Sequence, residues 1–202
     1  MTTAALILSA GESSRFGGLP KALLRAGERS AVRRVAEVSL ESGFDPVVVV
    51  VGAHPGVITH ELRDLPVDVV EAEQWYEGRT ASVQAGLMAL AVDRDVLFWP
   101  VDHPFVSRRT VGVLTSYLES DAVGVWFIPT YEGHGGHPVV WRSIVRRDLL
   151  ELRADAPVRS LLPEFGPQVR RVPVDDPGVL ANVDTPEEYR AAHDDWLSRG
   201  EE

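Results

Sequence analysis

No cysteine occurs in the 202 residues, so disulfides, thiolate nucleophiles and zinc-cysteine centres are excluded, and any metal must rely on carboxylate, histidine and backbone donors. No apolar run approaches the roughly 20 residues that span a membrane. The N-terminus also lacks the basic and long apolar regions of a secretory signal. The expectation is a cytoplasmic protein with no membrane contact. Basic charge is in deficit as well: the formal net charge is −10, which argues against a general nucleic-acid binder. The deficit is uneven. Residues 1–34 carry six basic and two acidic side chains, a balance of +4, and the remainder of the chain is −14. A small anionic ligand is expected near that first segment, while Arg33 and Arg34 read as the solvated face of a helix. Repeats, low-complexity tracts and linkers are missing, so one domain over residues 1–202 is expected, with a ragged acidic tail at 198–202.

What is present is a regular alternation of apolar runs and amphipathic stretches. "AALILSA", "PVVVVVG", "VDVVEA", "DVLFWPVD", "AVGVWFIPT", "GHPVVW" and "VRRVPV" read as strands. "RSAVRRVAEVSLESG", "HPGVITHELRD", "TASVQAGLMALAVD", "SRRTVGVLTSYLES", the segments 144–152 and 157–165, and the stretch from "VDTPEEYRAAHDDWLSR" read as helices. Such alternation implies right-handed crossovers and an α/β fold, a mainly parallel sheet sandwiched between helices. In these sheets the ligand lies beyond the carboxyl ends of the strands. The opening loop, "WPVDHP" and "NVDTP" all fall there.

The opening loop, "SAGESSRFGGLPKALL", fits neither of two common phosphate loops. A P-loop ends in Gly-Lys-Ser/Thr, whereas Lys21 follows Leu19-Pro20 and precedes Ala22; a dinucleotide fingerprint needs G-x-G-x-x-G, whereas the glycines stand at 11, 17 and 18. What remains is a longer anion-gripping loop. Gly11 lets backbone N–H groups approach, Ser13 and Ser14 add donors, and Arg15 and Lys21 supply charge. Asp102 follows the run "VLFW", and Asn182 and Asp184 precede a helix started by Pro186. Two such oxygen ligands, completed by phosphate oxygens, suit magnesium. Asp184 or Thr185 can equally cap that helix, and both roles can coexist. His134 and His137 lack a third nearby ligand and make poor evidence for a metal pair. Trp75, Trp99, Trp126 and Trp141 read as core or pocket-wall residues.

"LILSAGESSRFGGLPKALL" resembles the L-x-A-G-x-S-x-R-M-G-G-x-x-K-x-L-L signature of the MobA/MocA-like nucleotidyltransferases. "EGRTASVQAGL", "PVDHPFV", "GHGGHPVVW" and "NVDTPEEY" are similar to later motifs of that family, in the same order. The resemblance implies a Rossmann-like, glycosyltransferase-A-like fold and a magnesium-dependent transfer of a nucleoside monophosphate, CMP from CTP, to a phosphorylated acceptor such as molybdopterin. It also brings a molybdoenzyme into view as a protein partner. Ser9, Ala10, Gly11, Glu12, Ser13, Ser14, Arg15, Lys21, Gly78, Ser82 and Asp102 would bind the nucleotide. Asp102, with Asp184 or Asn182, would hold Mg2+, and Arg15, Lys21 and Asp102 would carry the chemistry. His137 and Arg159 would meet the acceptor. Two segments depart from relatives that use a phosphorylated pterin. His134-Gly135-Gly136 stands where an arginine is common, and "RADAPVRSLL" keeps Asp155 and Arg159 but loses both glycines of G-D-x-G-x-R.

Overall fold

The structure, a computed structural model, describes residues 3–200. Glu201 and Glu202 of the acidic tail lie outside the described residues, and Ser198 closes the last helix. The chain opens with β1 (Ala4–Ser9), a small hairpin of β2 (Arg25–Ala26) and β3 (Arg29–Ser30), then α1 (Ala31–Glu41), β4 (Val47–Val51), α2 (Pro55–Leu62) and β5 (Asp68–Glu71). It continues through α3 (Arg79–Ala89), β6 (Val96–Pro100), α4 (Arg108–Ser120), β7 (Trp126–Tyr131), β8 (His134–Gly135) and β9 (Val139–Trp141). The last part holds α5 (Arg146–Glu151), α6 (Leu162–Phe165), β10 (Val169–Pro173) and α7 (Pro186–Ser198).

The main sheet runs β10-β7-β9-β6-β1-β4-β5, with β8 paired to β7. β9 runs antiparallel to both β6 and β7, and the pairings of β1 with β4 and β6, of β4 with β5 and of β7 with β10 are parallel. The sheet is therefore mixed but mainly parallel, as the alternation predicts. Side chains alternate across it. Ala5, Ile7, Val49 and Leu97 meet Val32 and Val35 of α1, Ile58 of α2 and Leu114 of α4. Leu6, Val48, Val50 and Phe98 meet Val83 and Leu87 of α3 and Leu149 of α5. Because helices cover both faces, all five valines of β4 are buried, the pattern that a sheet enclosed on both sides demands.

Helix starts are set locally. Ser30 and Ser107 each accept a backbone N–H in the first turn of α1 and α4. Thr185 and Glu188 form a reciprocal capping box at α7, with Pro186 in its first turn. Two expectations change. The helix predicted over 157–165 splits into a 3-10 turn, Val158–Leu161, and the four-residue α6. Arg34 is not on a solvated face: it is buried, donates from one guanidinium nitrogen to the carbonyls of Pro104 and Val106 at 2.8 and 3.0 Å, and lies over the ring of Trp196. The reason is α7, whose Trp196 lies under the Arg34 guanidinium. Arg33 does stay at the surface side, forked onto Asp64 and paired with Glu37.

Candidate functional site

The carboxyl ends of β6, β1 and β4 lie side by side. Past them, Val101 donates to the Leu8 carbonyl and Ala53 to that of Ala10, at 3.0 and 3.1 Å. The backbone in front of these ends encloses a cavity of about 280 Å³. Ser9, Ala10, Gly11, Ser13, Lys21, Gly78, Ser82 and Asp102 all line it, as do Trp75 and Arg79. Glu12, Ser14 and Arg15, expected beside them, are exposed, the last two in a 3-10 turn over Ser14–Phe16, and are not part of the lining. The hydroxyl of Ser9, a residue of this lining, is buried without a hydrogen-bond partner.

The loop is held shut by its own residues. Ser13 takes a left-handed conformation, φ 58°, and its hydroxyl accepts the Lys21 N–H at 2.9 Å, so Lys21 is brought back over the strand end. Its ammonium then donates to Asp184 Oδ1 at 2.6 Å. Asn182 Nδ2 donates to the other oxygen of Asp184 at 2.9 Å, and Arg15 stands 3.8 Å from it. Thr185, not Asp184, is the cap of α7, so the Asp184 carboxylate is left for the site.

Asp102 sits at the mouth of β6, and its carbonyl accepts the Val183 N–H at 2.8 Å. That backbone bond is what carries Asp184 to the end of a strand far from it in sequence. The Asp102 carboxylate is buried. It accepts from His103 Nδ1 at 3.0 Å and from Arg79 at 3.3 Å. Burial alone would raise its pKa, but His103, Arg79 and the more distant Lys21 outweigh it and hold the carboxyl well below the usual range. The Lys21 hydrogen bond does the same for Asp184, against a smaller opposing effect of burial. No group of three or more His, Cys, Asp or Glu converges on a metal position among the described residues. Two ionised carboxylates without a third ligand suit a hard cation that completes its shell with phosphate and water oxygens.

A second cavity, of about 780 Å³, opens on the other side of Arg79 and His103. Phe98, Trp126 and Trp141 form an aromatic wall, and Arg79, Arg159 and Arg171 are its cations. His137 and Arg159, the expected acceptor residues, both line it. His137 is packed against the rings of Phe98 and His103, its Nδ1 has no partner, and burial, chiefly, with the neighbouring His103 pushes its pKa down to about 3. It is neutral at pH 7. His134, by contrast, is exposed and bonded to the Glu132 carbonyl. Arg79, which lines both cavities, escapes a reading of spacing alone, although it lies inside "EGRTASVQAGL". Arg171, on β10, carries no local signal at all.

A family model described as "MobA-like NTP transferase domain" matches residues 5–171. The chain belongs to the MobA-like NTP transferase family. Within it, the chain is 30% identical over 194 residues to a protein named nicotine blue oxidoreductase from Paenarthrobacter nicotinovorans, covering 92% of this chain and 94% of that one. It is 28% identical over 161 residues, 78% of this chain and 74% of the other, to a probable molybdenum cofactor guanylyltransferase of Halalkalibacterium halodurans. Among solved structures, Rv0371C of Mycobacterium tuberculosis in complex with manganese superimposes with a TM-score of 0.79 at 22% identity, over 96% of this chain and 99% of that one. The MobA-like family is one of nucleotidyltransferases, and this chain is one of them.

Proposed function

We propose that this protein transfers CMP from CTP to a phosphorylated acceptor such as molybdopterin, releasing pyrophosphate, with Mg2+ as its metal. The observation that carries this reading is the pair of cavities that share Arg79, which bonds to Asp102 in the lining of the smaller one. One is small and walled by the opening loop. The other is large, aromatic and cationic. A nucleoside triphosphate suits the first and a flat, anionic acceptor the second, with the reacting phosphorus between them.

In the reaction, an acceptor phosphate oxygen forms a bond to the α-phosphorus, and the bond from that phosphorus to the bridging oxygen of pyrophosphate breaks. The protein's work is positioning and charge stabilisation, worth most in a site that excludes water. Lys21 and Arg15 would neutralise the departing pyrophosphate, Arg15 from the exposed rim, and Ser9, Gly11 and Ser82 would fix the nucleotide. Asp102 and Asp184 would hold the metal, with Asn182 orienting Asp184 through its amide. The metal, when bound, polarises the phosphoryl oxygens and balances their charge. A phosphate monoester is mostly ionised at neutral pH, since its second pKa is about 6, so no strong general base is required.

Purified protein with Mg2+ and each nucleoside triphosphate in turn, with and without molybdopterin, tests this. Pyrophosphate should appear with CTP and acceptor together. Release with GTP alone would replace the base, in line with the guanylyltransferase relative. Turnover only with sugar or polyol phosphates would replace the acceptor. Tight nucleotide binding with no turnover would point to a nucleotide-holding chaperone. The oxidoreductase relative supplies a second reading, and the aromatic wall is the feature that favours it. Reduction of an aromatic dye by a supplied hydride donor, with no pyrophosphate from any pair, would establish it.

A further inference from the structure

Arg79 has a place in both cavities and one partner between them. Its backbone is pinned. Gly78 before it takes φ +152°, with Ala154 and Asp155 packed so closely that an added Cβ would lie 2.3 Å from the Ala154 carbonyl oxygen. Thr80 after it donates from its hydroxyl to the Ala156 carbonyl at 2.5 Å. The head group is not pinned. The Arg79 side chain is 59% exposed and makes one 3.3 Å hydrogen bond, to Asp102 Oδ2, whose own side chain is 8% exposed. Asp102 Oδ1 is meanwhile taken by His103. Oδ2 is therefore the oxygen at which the carboxylate can exchange partners, and Arg79 is the cation it would give up.

We propose that Arg79 is an exchangeable counter-ion that couples the two cavities: an anionic acceptor in the larger cavity draws its guanidinium off Asp102 Oδ2, and a divalent cation takes the freed oxygen. The inference rests on the reading of Asp102 as a metal ligand. A guanidinium suits the task because its fork can move from carboxylate to phosphate without a change in its charge. The larger cavity supplies the destination. Arg159 and Arg171 line it, and neither has an acidic partner among the described residues, so a phosphate there would complete a three-arginine cradle. By linkage, whatever factor the acceptor anion adds to cation affinity, the cation adds to acceptor affinity. Acceptor and metal would then be recruited together.

The test uses the full chain, Mn2+ followed by the paramagnetic resonance of the free ion, and 1-naphthyl phosphate as the anionic aromatic probe. In the unaltered protein, 1-naphthyl phosphate should tighten Mn2+ binding by at least about fivefold, and Mn2+ should tighten the probe equally. Arg79→Met, at an exposed head group, should melt like the parent. It should bind Mn2+ alone more tightly, because no cation has to leave, and the coupling should fall below about twofold. Arg79→Lys, which keeps the charge, should restore part of it. A methionine variant with undiminished coupling, or with weaker Mn2+ binding, would overturn the inference while pyrophosphate release by the parent leaves nucleotidyl transfer standing. Equal Mn2+ affinity in the parent and in Asp102→Asn would overturn the metal-ligand reading on which it rests.

Discussion

Lys21 and Asp184 are 163 residues apart in sequence, and their charged atoms meet at 2.6 Å. The contact ties the opening loop to the start of the last helix across the end of β6, and its lysine is mostly shielded from solvent. An ion pair screened in this way keeps its attraction at physiological salt better than an exposed one. It also sets the initial state of the site. The cation expected on the triphosphate is held in store on a carboxylate expected to take the metal.

Lys21→Met removes that reserve. Triphosphate affinity should drop by at least about tenfold, the order expected for one lost charge-assisted contact, and monophosphate affinity by much less. Isothermal titration with CTP and CMP reads both. Equal losses would mean that Lys21 does not reach the outer phosphates.

Asp102→Asn keeps an oxygen for the His103 N–H but loses the charge. Turnover should fall by at least about 100-fold, the scale of a lost electrostatic group in an active site, with a modest drop in melting temperature because the carboxylate's charge also supports the fold. Steady-state kinetics and calorimetry on the same preparation decide it, and parent-like activity would remove Asp102 from the chemistry.

Acid should weaken the fold in a defined direction. Asp102 and Asp184 are both held below the ordinary carboxyl value of about 3.9, by His103, Arg79 and Lys21 in one case and by Lys21 in the other. Groups with a depressed folded pKa stabilise the native state fully above the unfolded value and lose that contribution as pH falls toward the folded one. In urea titrations, the stability difference between the parent and Asp184→Asn should be constant from about pH 5 to 7 and shrink below about pH 4. A difference that instead grows on acidification would contradict the pairing.

Gly78→Ala places a side chain at φ +152° and 2.3 Å from the Ala154 carbonyl oxygen. Strain of this kind costs on the order of 1–3 kcal/mol. The start of α3 and the segment carrying Arg159 must separate, so thermal stability should fall and the acceptor KM should rise more than the nucleotide KM.

Arg171→Ala should raise the acceptor KM by about tenfold, as for one charged hydrogen bond, and leave the nucleotide KM within twofold. A shift in the nucleotide term instead would move Arg171 out of the acceptor cavity's function.

Much of this arrangement is legible along the chain because it depends on local pattern. The valine run at 47–51 can only be a strand enclosed on both sides, and it is. The opening loop announces an anion site through Gly11 and Lys21, and both line the smaller cavity. Arg34 shows where local reading fails. Its neighbours give it a helical, charged context, but whether a helical face meets water depends on α7, which begins 152 positions later and buries it against Trp196. Ser13 has a further role that its local context does not show: its hydroxyl oxygen accepts the Lys21 N–H and braces the loop, which leaves its own O–H as a donor in the lining of the smaller cavity.

The α/β alternation, the strand-end placing of the opening loop and of "WPVDHP", and the residue types proposed for a phosphate-and-metal site can all be read along the chain. Those follow from periodicity, from turn chemistry and from which side chains carry charge. It takes the folded chain to show that Thr185 caps the last helix so that Asp184 is free to face Lys21, that Arg79 lines two cavities, and that Arg159 and Arg171 share one of them. These are relations between segments brought together by sheet order. The physical reason is that a strand's neighbours are chosen by burial and hydrogen bonding across the whole sheet, which no local stretch of chain encodes.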